Sequence, residues 1–198
     1  IADNFGLLAS SRDIKIDGKL GMEEAWNAGV NLSQTIKIWG DREMSIALDY
    51  YHTNFVNQVV VDYDKDANQV WFSNLDGKSY SNAAQLDINI EPLEGFNISL
   101  AGRYNDVMTT YHGELMQKPY VSKWKGLVVL SYKTKYDKWM FDLTTQFNGK
   151  QRVPLNVGYG KEYAPGYIYM LAQITRKFKN FDVYVGAENL TDYKQDIP

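Results

Sequence analysis

The residues of this chain best placed to do chemistry are three carboxylates in one short run, Asp62-Tyr63-Asp64-Lys65-Asp66. Alternate acids of this kind open the calcium loop of an EF-hand, in which a glycine at the sixth position makes a sharp turn and a glutamate at the twelfth closes the shell. Here the sixth position is Ala67 and the twelfth is Ser73, so that motif is absent. A looser calcium site on Asp62, Asp64 and Asp66 stays open to this reading, because hard cations accept carboxylates in flexible geometry. The plainer alternative is a solvated acidic loop. The two histidines, His52 and His112, are 60 positions apart and each is next to a tyrosine. They would form a metal pair only if their loops converged; isolated loop or interface histidines are the commoner case. Gly158-Tyr159-Gly160 has no helix after it to cradle a phosphate. Cysteine is absent, as are the G-x-S-x-G elbow and the H-E-x-x-H pair. Nothing in the sequence points to catalysis or to a resident cofactor.

What could position such residues is legible in the pattern between them. Eight segments alternate apolar and polar side chains with a period of two, the signature of a ribbon with one oily and one wet face. Segment 24–38 sets Trp26, Ala28, Val30, Leu32, Ile36 and Ile38 on one face, with Gln34 the exception. The second opens at Glu43 and slips phase near Phe55, which predicts a bulge. The others are predicted at 83–91, 96–107, 125–133, 139–148, 167–178 and 181–190; Leu127 and Val129 break the polar face of the fifth. Strands in water usually stop after about five or six residues, whereas a strand crossing a bilayer needs about nine to eleven. The connections alternate too. Short ones at 39–42, 92–95, 134–138 and 179–180 face long ones at 62–82, 108–124 and 149–166. Outer-membrane barrels have short periplasmic turns and long extracellular loops. Aromatics gather at both strand ends: Trp39, Phe96, Tyr136, Trp139, Phe178 and Phe181 at the turns, and Tyr50, Tyr51, Tyr104, Tyr132 and Tyr167 toward the loops. Two membrane–water interfaces select such girdles.

Composition fits this reading. The 198 residues carry 21 Lys+Arg and 24 Asp+Glu, a net charge of −3 that does not suggest a nucleic-acid partner. The mean hydropathy of −0.42 would pass for a soluble protein, but alternation averages to a modest value in any window. No run approaches the roughly 18 apolar residues of a membrane helix. The fold class expected is therefore all-β, an antiparallel up-and-down transmembrane barrel. The polar-face charges Asp49, Asp87, Arg103, Lys133, Asp142 and Glu188 would then line its lumen and pair with one another or with whatever fills it. Two alternatives from other classes are a small structural or adhesive barrel of eight strands that closes alone, and a soluble carbohydrate-binding β domain whose Tyr- and Trp-rich loops suit sugars.

Late in the chain stands Gly186-Ala187-Glu188-Asn189-Leu190-Thr191-Asp192-Tyr193. It resembles the G-x-E-N-L-(T/S)-(D/N)-Y stretch found late in the barrels of TonB-dependent outer-membrane receptors, especially those of Bacteroidetes. Glu24-Ala25-Trp26-Asn27, the run from Phe55 to Asp62, the run from Gly77 to Asn82, Lys118-Pro119 and Trp139-x-Phe141-Asp142 are similar to the same family. The resemblance implies active import. Such receptors catch a scarce nutrient with extracellular loops and pass it through a plugged barrel of about 22 strands, with energy supplied through TonB. It also implies that residues 1–198 are one partial barrel domain, about eight strands of the larger barrel, without the plug and the last strand. Ile1 to Leu8 do not read as a start of translation, and Ile197-Pro198 read as a loop. The partners implied are the outer-membrane bilayer of a Gram-negative bacterium, the rest of the barrel with its plug, the TonB complex and a small nutrient. Siderophore, haem or cobalamin receptors look nearest.

Overall fold

The computed structural model describes residues 12–154 and 160–195. The readings at Ile1 to Leu8, at Gly158-Tyr159 and at Ile197-Pro198 lie outside the described residues. Among the described residues fourteen strands are formed: β1 (Asp13–Ile16), β2 (Glu24–Lys37), β3 (Glu43–Asn57), β4 (Val59–Asp62), β5 (Gln69–Asn74), β6 (Ser79–Leu93), β7 (Phe96–Tyr111), β8 (Glu114–Gln117), β9 (Trp124–Lys133), β10 (Trp139–Asn148), β11 (Gln151–Arg152), β12 (Tyr163–Ala164), β13 (Tyr167–Lys177) and β14 (Asp182–Ala187). No helix among the described residues is long and apolar enough to cross a membrane.

Eight of these strands form one antiparallel wall in the order β14-β13-β10-β9-β7-β6-β3-β2, a meander that never skips a neighbour; short β8 folds back beside β7. They are the eight alternating segments of the sequence. The phase slip near Phe55 is a real irregularity: Glu24 pairs with Asn57 but Ala25 with Phe55, so Val56 has no opposite number. β2 and β14 end the wall and do not pair with each other, so the wall is an open ribbon and not a small closed barrel.

Register carries the faces from strand to strand. Leu32, Leu48 and Leu86 stand in one row, and Ile98, Leu130 and Leu143 in another. Tyr132, expected toward the loops, pairs with Phe96 and Phe141 at the turn end, which corrects its place in the girdles. The wet face is aligned in the same way, with Asn31, Asp49, Gln85, Arg103 and Lys125 in one row. Its charges, however, bond to neutral neighbours. Asp49 accepts from Asn31 Nδ2 at 2.6 Å, Asp87 from Gln85 Nε2 at 2.8 Å and Asp142 from Ser131 Oγ at 2.6 Å, while Arg103 Nε donates to Asn105 Oδ1 at 2.9 Å. Among the described residues none of the six charges named above is ion-paired to another, which corrects that part of the expectation. The oily face remains open, with Leu32 61% and Leu48 44% exposed. A wall that keeps its leucines outside is built for a surround that is itself apolar.

Burial is found instead in the connections. The long loops, expected as plain loops, contain strands of their own. β4 and β5 form a hairpin, and β1, from the start of the described chain, pairs parallel to β5 to complete a three-stranded sheet. Val70 and Phe72 are fully buried there beside Tyr63, with Leu20, Val59 and Val61 packed against them. Short apolar strands too brief to show a period explain why the sequence pattern passed them over.

Candidate ligand-binding vestibule

Parity fixes where this loop sheet sits. At the loop end of β6 and β7 the buried residues are Ser79, Asn105, Thr109 and Tyr111, all on the wet, lumen-facing side. The loop sheet therefore folds inward, over the mouth of the wall. Ser79 Oγ seals the junction: it bonds to Gln58 Oε1 at 2.7 Å and lies 3.1 Å from Thr109 Oγ1.

A single guanidinium fastens the package. Arg152, 1% exposed, reaches Asp64 Oδ2 with Nη2 at 2.6 Å and donates from Nη1 to the Gln117 carbonyl at 3.3 Å. Its charged plane lies 5.7 Å from the ring centre of Tyr111. Its Nε is buried without a partner among the described residues, an orphan that costs about 1–3 kcal/mol. Three connections thus meet at one side chain: Asp64 after β4, Gln117 in β8 and Arg152 in β11. A second tie joins His112 Nε2 to Asp62 Oδ2 at 2.7 Å.

The three acids suggested for calcium are committed elsewhere. Asp62 holds His112 and accepts the Asp64 amide at 2.8 Å, Asp64 holds Arg152, and Asp66 accepts the Asn68 amide at 2.7 Å. They build turns and clamps, and no group of three His, Cys, Asp or Glu among the described residues is arranged for a metal. His52 and His112 keep separate company: His52 Nδ1 lies 2.7 Å from Asn82 Oδ1, with its ring beside Trp26 on the outer face.

Two hollows lie in the inward fold. The larger, about 390 Å³, opens between β4, β7 and the segment after β8, and is faced by Val59, Tyr63, Thr109, Tyr111, Lys118 and Tyr120. Tyr63 and Tyr120 meet edge to face at 6.5 Å, and Arg12 lies 5.6 Å from the Tyr63 ring centre. Burial pushes both phenols above their usual range, and the charge of Arg12 partly offsets it. They stay neutral donors at any physiological pH. The smaller hollow, about 150 Å³, is polar and includes Asp17, Asp62, Trp71, Asp76 and His112; the Lys65 ammonium stands 3.4 Å over Trp71. The sequence offered no sign of Arg152 or of this tyrosine trio. Arg152, Tyr63, Tyr111 and Tyr120 all fall outside the alternating segments, and only the inward fold brings them together.

The Asn189 turn ends β14 at the loop end of the wall's edge. Asn189, at φ 54°, bonds to both the amide and the carbonyl of Tyr193 at 3.0 Å, and Thr191 Oγ1 donates to the Ile168 carbonyl at 2.8 Å. Tyr193 then stacks on Tyr167 at 4.3 Å. Asparagine tolerates the left-handed backbone and can satisfy its own turn, so the Glu-Asn-Leu-Thr-Asp-Tyr run makes physical sense as the stop of β14.

No family model and no curated protein matches the chain. Solved structures do. The ferric-catecholate import receptor Fiu of E. coli K12 is similar at a TM-score of 0.63 and 12% identity, over 88% of this chain and 24% of that one. The FrpB iron transporter of Neisseria meningitidis gives 0.61 and 11%, over 92% and 28%. The outer-membrane ferripyoverdine receptor of Pseudomonas aeruginosa gives 0.58 and 14%, over 86% and 24%. All are TonB-dependent outer-membrane receptors. At such identities the likeness carries the fold: the chain is folded as a stretch of receptor β-barrel and spans about a quarter of the length of the structures it matches.

Proposed function

We propose that this chain is part of an active-transport receptor in the outer membrane of a Gram-negative bacterium, which binds a scarce nutrient on its extracellular side and imports it with energy supplied through TonB. The observation that carries the reading is the inward fold of the loops. A barrel wall with a polar lumen has its mouth narrowed by a packed loop sheet, and a tyrosine-faced cleft opens within that packing. A pore built only for diffusion gains nothing from a cleft of this kind, whereas a receptor needs one.

The cargo proposed is a small iron chelate of the siderophore type, with haem and cobalamin as the next classes; the ferric-catecholate and ferripyoverdine receptors among the similar structures support that order. The partners proposed are the remainder of the barrel, a plug domain within it and, through the plug, the TonB complex. The chain's role is transport and not catalysis.

The test is uptake. Cells lacking the intact receptor gene, starved of iron, would be offered labelled ferric siderophores, haem and cobalamin in turn. Loss of energy-dependent uptake of one of them, restored by the complete gene, is the expected result. A Tyr63→Ala/Tyr120→Ala receptor should need at least about tenfold more of that compound for half-maximal uptake. Unchanged uptake of every compound on deletion would reject the assignment.

A further inference from the structure

At its turn end the wall is electrically lopsided. The turns joining β9 to β10 and β13 to β14 gather Lys133, Lys135, Lys138, Arg176, Lys177 and Lys179 against only Asp137 and Asp182. None of these six cations is in an ion pair among the described residues. The other two turns lean the opposite way, with Asp41, Glu43, Glu91 and Glu94 against Lys37 and Arg42.

Arg176 is the member of the cluster that faces outward. It stands opposite Trp139 and Val183 in the oily register. Its guanidinium lies 4.6 Å from the Trp139 ring centre and 5.6 Å from that of Phe178. A guanidinium laid on a ring keeps its edge of N–H donors free, and that fork matches two phosphate oxygens. Lys138 is beside it at the rim, where the Lys177 amide donates to the Lys138 carbonyl at 3.0 Å. The next outward pair toward the loop end is Ile174 with Phe141. There an apolar groove of about 290 Å³ runs between Phe96, Tyr132, Phe141, Leu143, Ala172 and Ile174. Its floor is low at Ala172, a small outward side chain that stands opposite Leu143.

We infer that this face of β7, β9, β10 and β13 holds an anionic phospholipid of the inner leaflet, its phosphate on Arg176 and one acyl chain in the groove. A cationic fork next to a chain-sized apolar groove on the outside of a membrane wall matches the two halves of such a molecule. The negative headgroup answers the unpaired excess of cations at the rim. The inference rests on the proposed sidedness, with the short turns toward the periplasm, and does not depend on which cargo is carried.

The complete receptor, purified from nanodiscs with equal phosphatidylglycerol and phosphatidylethanolamine, would be analysed by native mass spectrometry for retained lipid. Phosphatidylglycerol should be enriched, and Arg176→Gln should cut the enrichment about fivefold. Ala172→Leu, which fills the groove without touching charge, should lower retention of lipid as a whole. Lys123→Gln, at the loop end, should change neither. Equal retention of the two lipids by the parent, or an unchanged ratio in Arg176→Gln, overturns the inference. Uptake by the parent and labelling of the turns from outside the cell report on cargo and sidedness separately.

Discussion

A buried guanidinium is dangerous to disturb from one side only. Arg152 and Asp64 have side chains 1% and 4% exposed, so truncating either strips the other buried charge of this ion pair. Arg152→Ala or Asp64→Ala should destabilise the loop package by about 3–5 kcal/mol. The loss should be seen as faster hydrogen exchange at Val70 and Tyr111 in the intact receptor, with wall amides such as that of Leu48 unaffected. Replacing both together, Asp64→Leu with Arg152→Met, should recover much of it, since a well-packed apolar pair can stand in for a buried ion pair. Parity makes an equally sharp contrast between neighbours in β7. Leu100 stands outward with Ile88 and Val128, and Ser99 stands inward with Asn89 and Val129. Leu100→Arg should cost roughly 2–4 kcal/mol near the membrane centre, and Ser99→Arg close to nothing. Equal losses in a folding assay of the whole barrel would overturn the assigned faces.

At the scale of elements, the structure sharpens the choice of positions for testing sidedness. Asp64 is buried, and a Cβ on Gly95 would fall 2.4 Å from the Lys133 carbonyl, so neither would carry a reporter cysteine harmlessly. Ala67, Glu114 and Lys161 are exposed at the loop end, and Asp41 and Asn180 at the turns. Cysteines at the first three should react with an impermeant reagent on intact cells, and those at the last two should not; the reverse pattern would invert the orientation. The wall strands were legible in the sequence because each repeats one simple choice, oily or wet, often for ten residues or more. β2 and β10 begin where the alternation begins, and the slip at Phe55 marks where β3 parts from its straight register. The vestibule was not legible. Arg152 stands in a two-residue strand, and β1 pairs with a strand 56 positions away, Asp13 with Gln69, so no local pattern announces either. The Asp62-Tyr63-Asp64 run drew attention through its spacing, but its carboxylates bind a histidine, a guanidinium and a backbone amide instead of a shared ligand.

For the whole molecule the open edges decide. β2 and β14 each present a row of backbone groups that no described strand pairs, and hydrocarbon offers them no partner. Each such group costs several kcal/mol, and a strand of β2's length exposes several of them. The total exceeds the roughly 5–15 kcal/mol by which domains are stable. Residues 1–198 expressed alone should aggregate or stay protease-sensitive in lipid. A soluble, cooperatively melting monomer in detergent-free buffer would argue instead for the soluble β domain.

The parallel pairing of β1 with β5 also sets a sequence of events. Antiparallel neighbours can form through a tight turn, but parallel strands need a crossover, and here the crossover is the whole β2–β3 hairpin. The loop sheet cannot be completed until that hairpin has brought the two ends of its own connection together. Contacts so distant along the chain are closed late. In pulsed hydrogen exchange during assembly of the complete barrel, the amide of Leu48 should become protected before that of Val70. The wall would then be sealed into the membrane while its mouth is still open, and the vestibule, where binding is proposed to occur, would be the last part of this segment to exist.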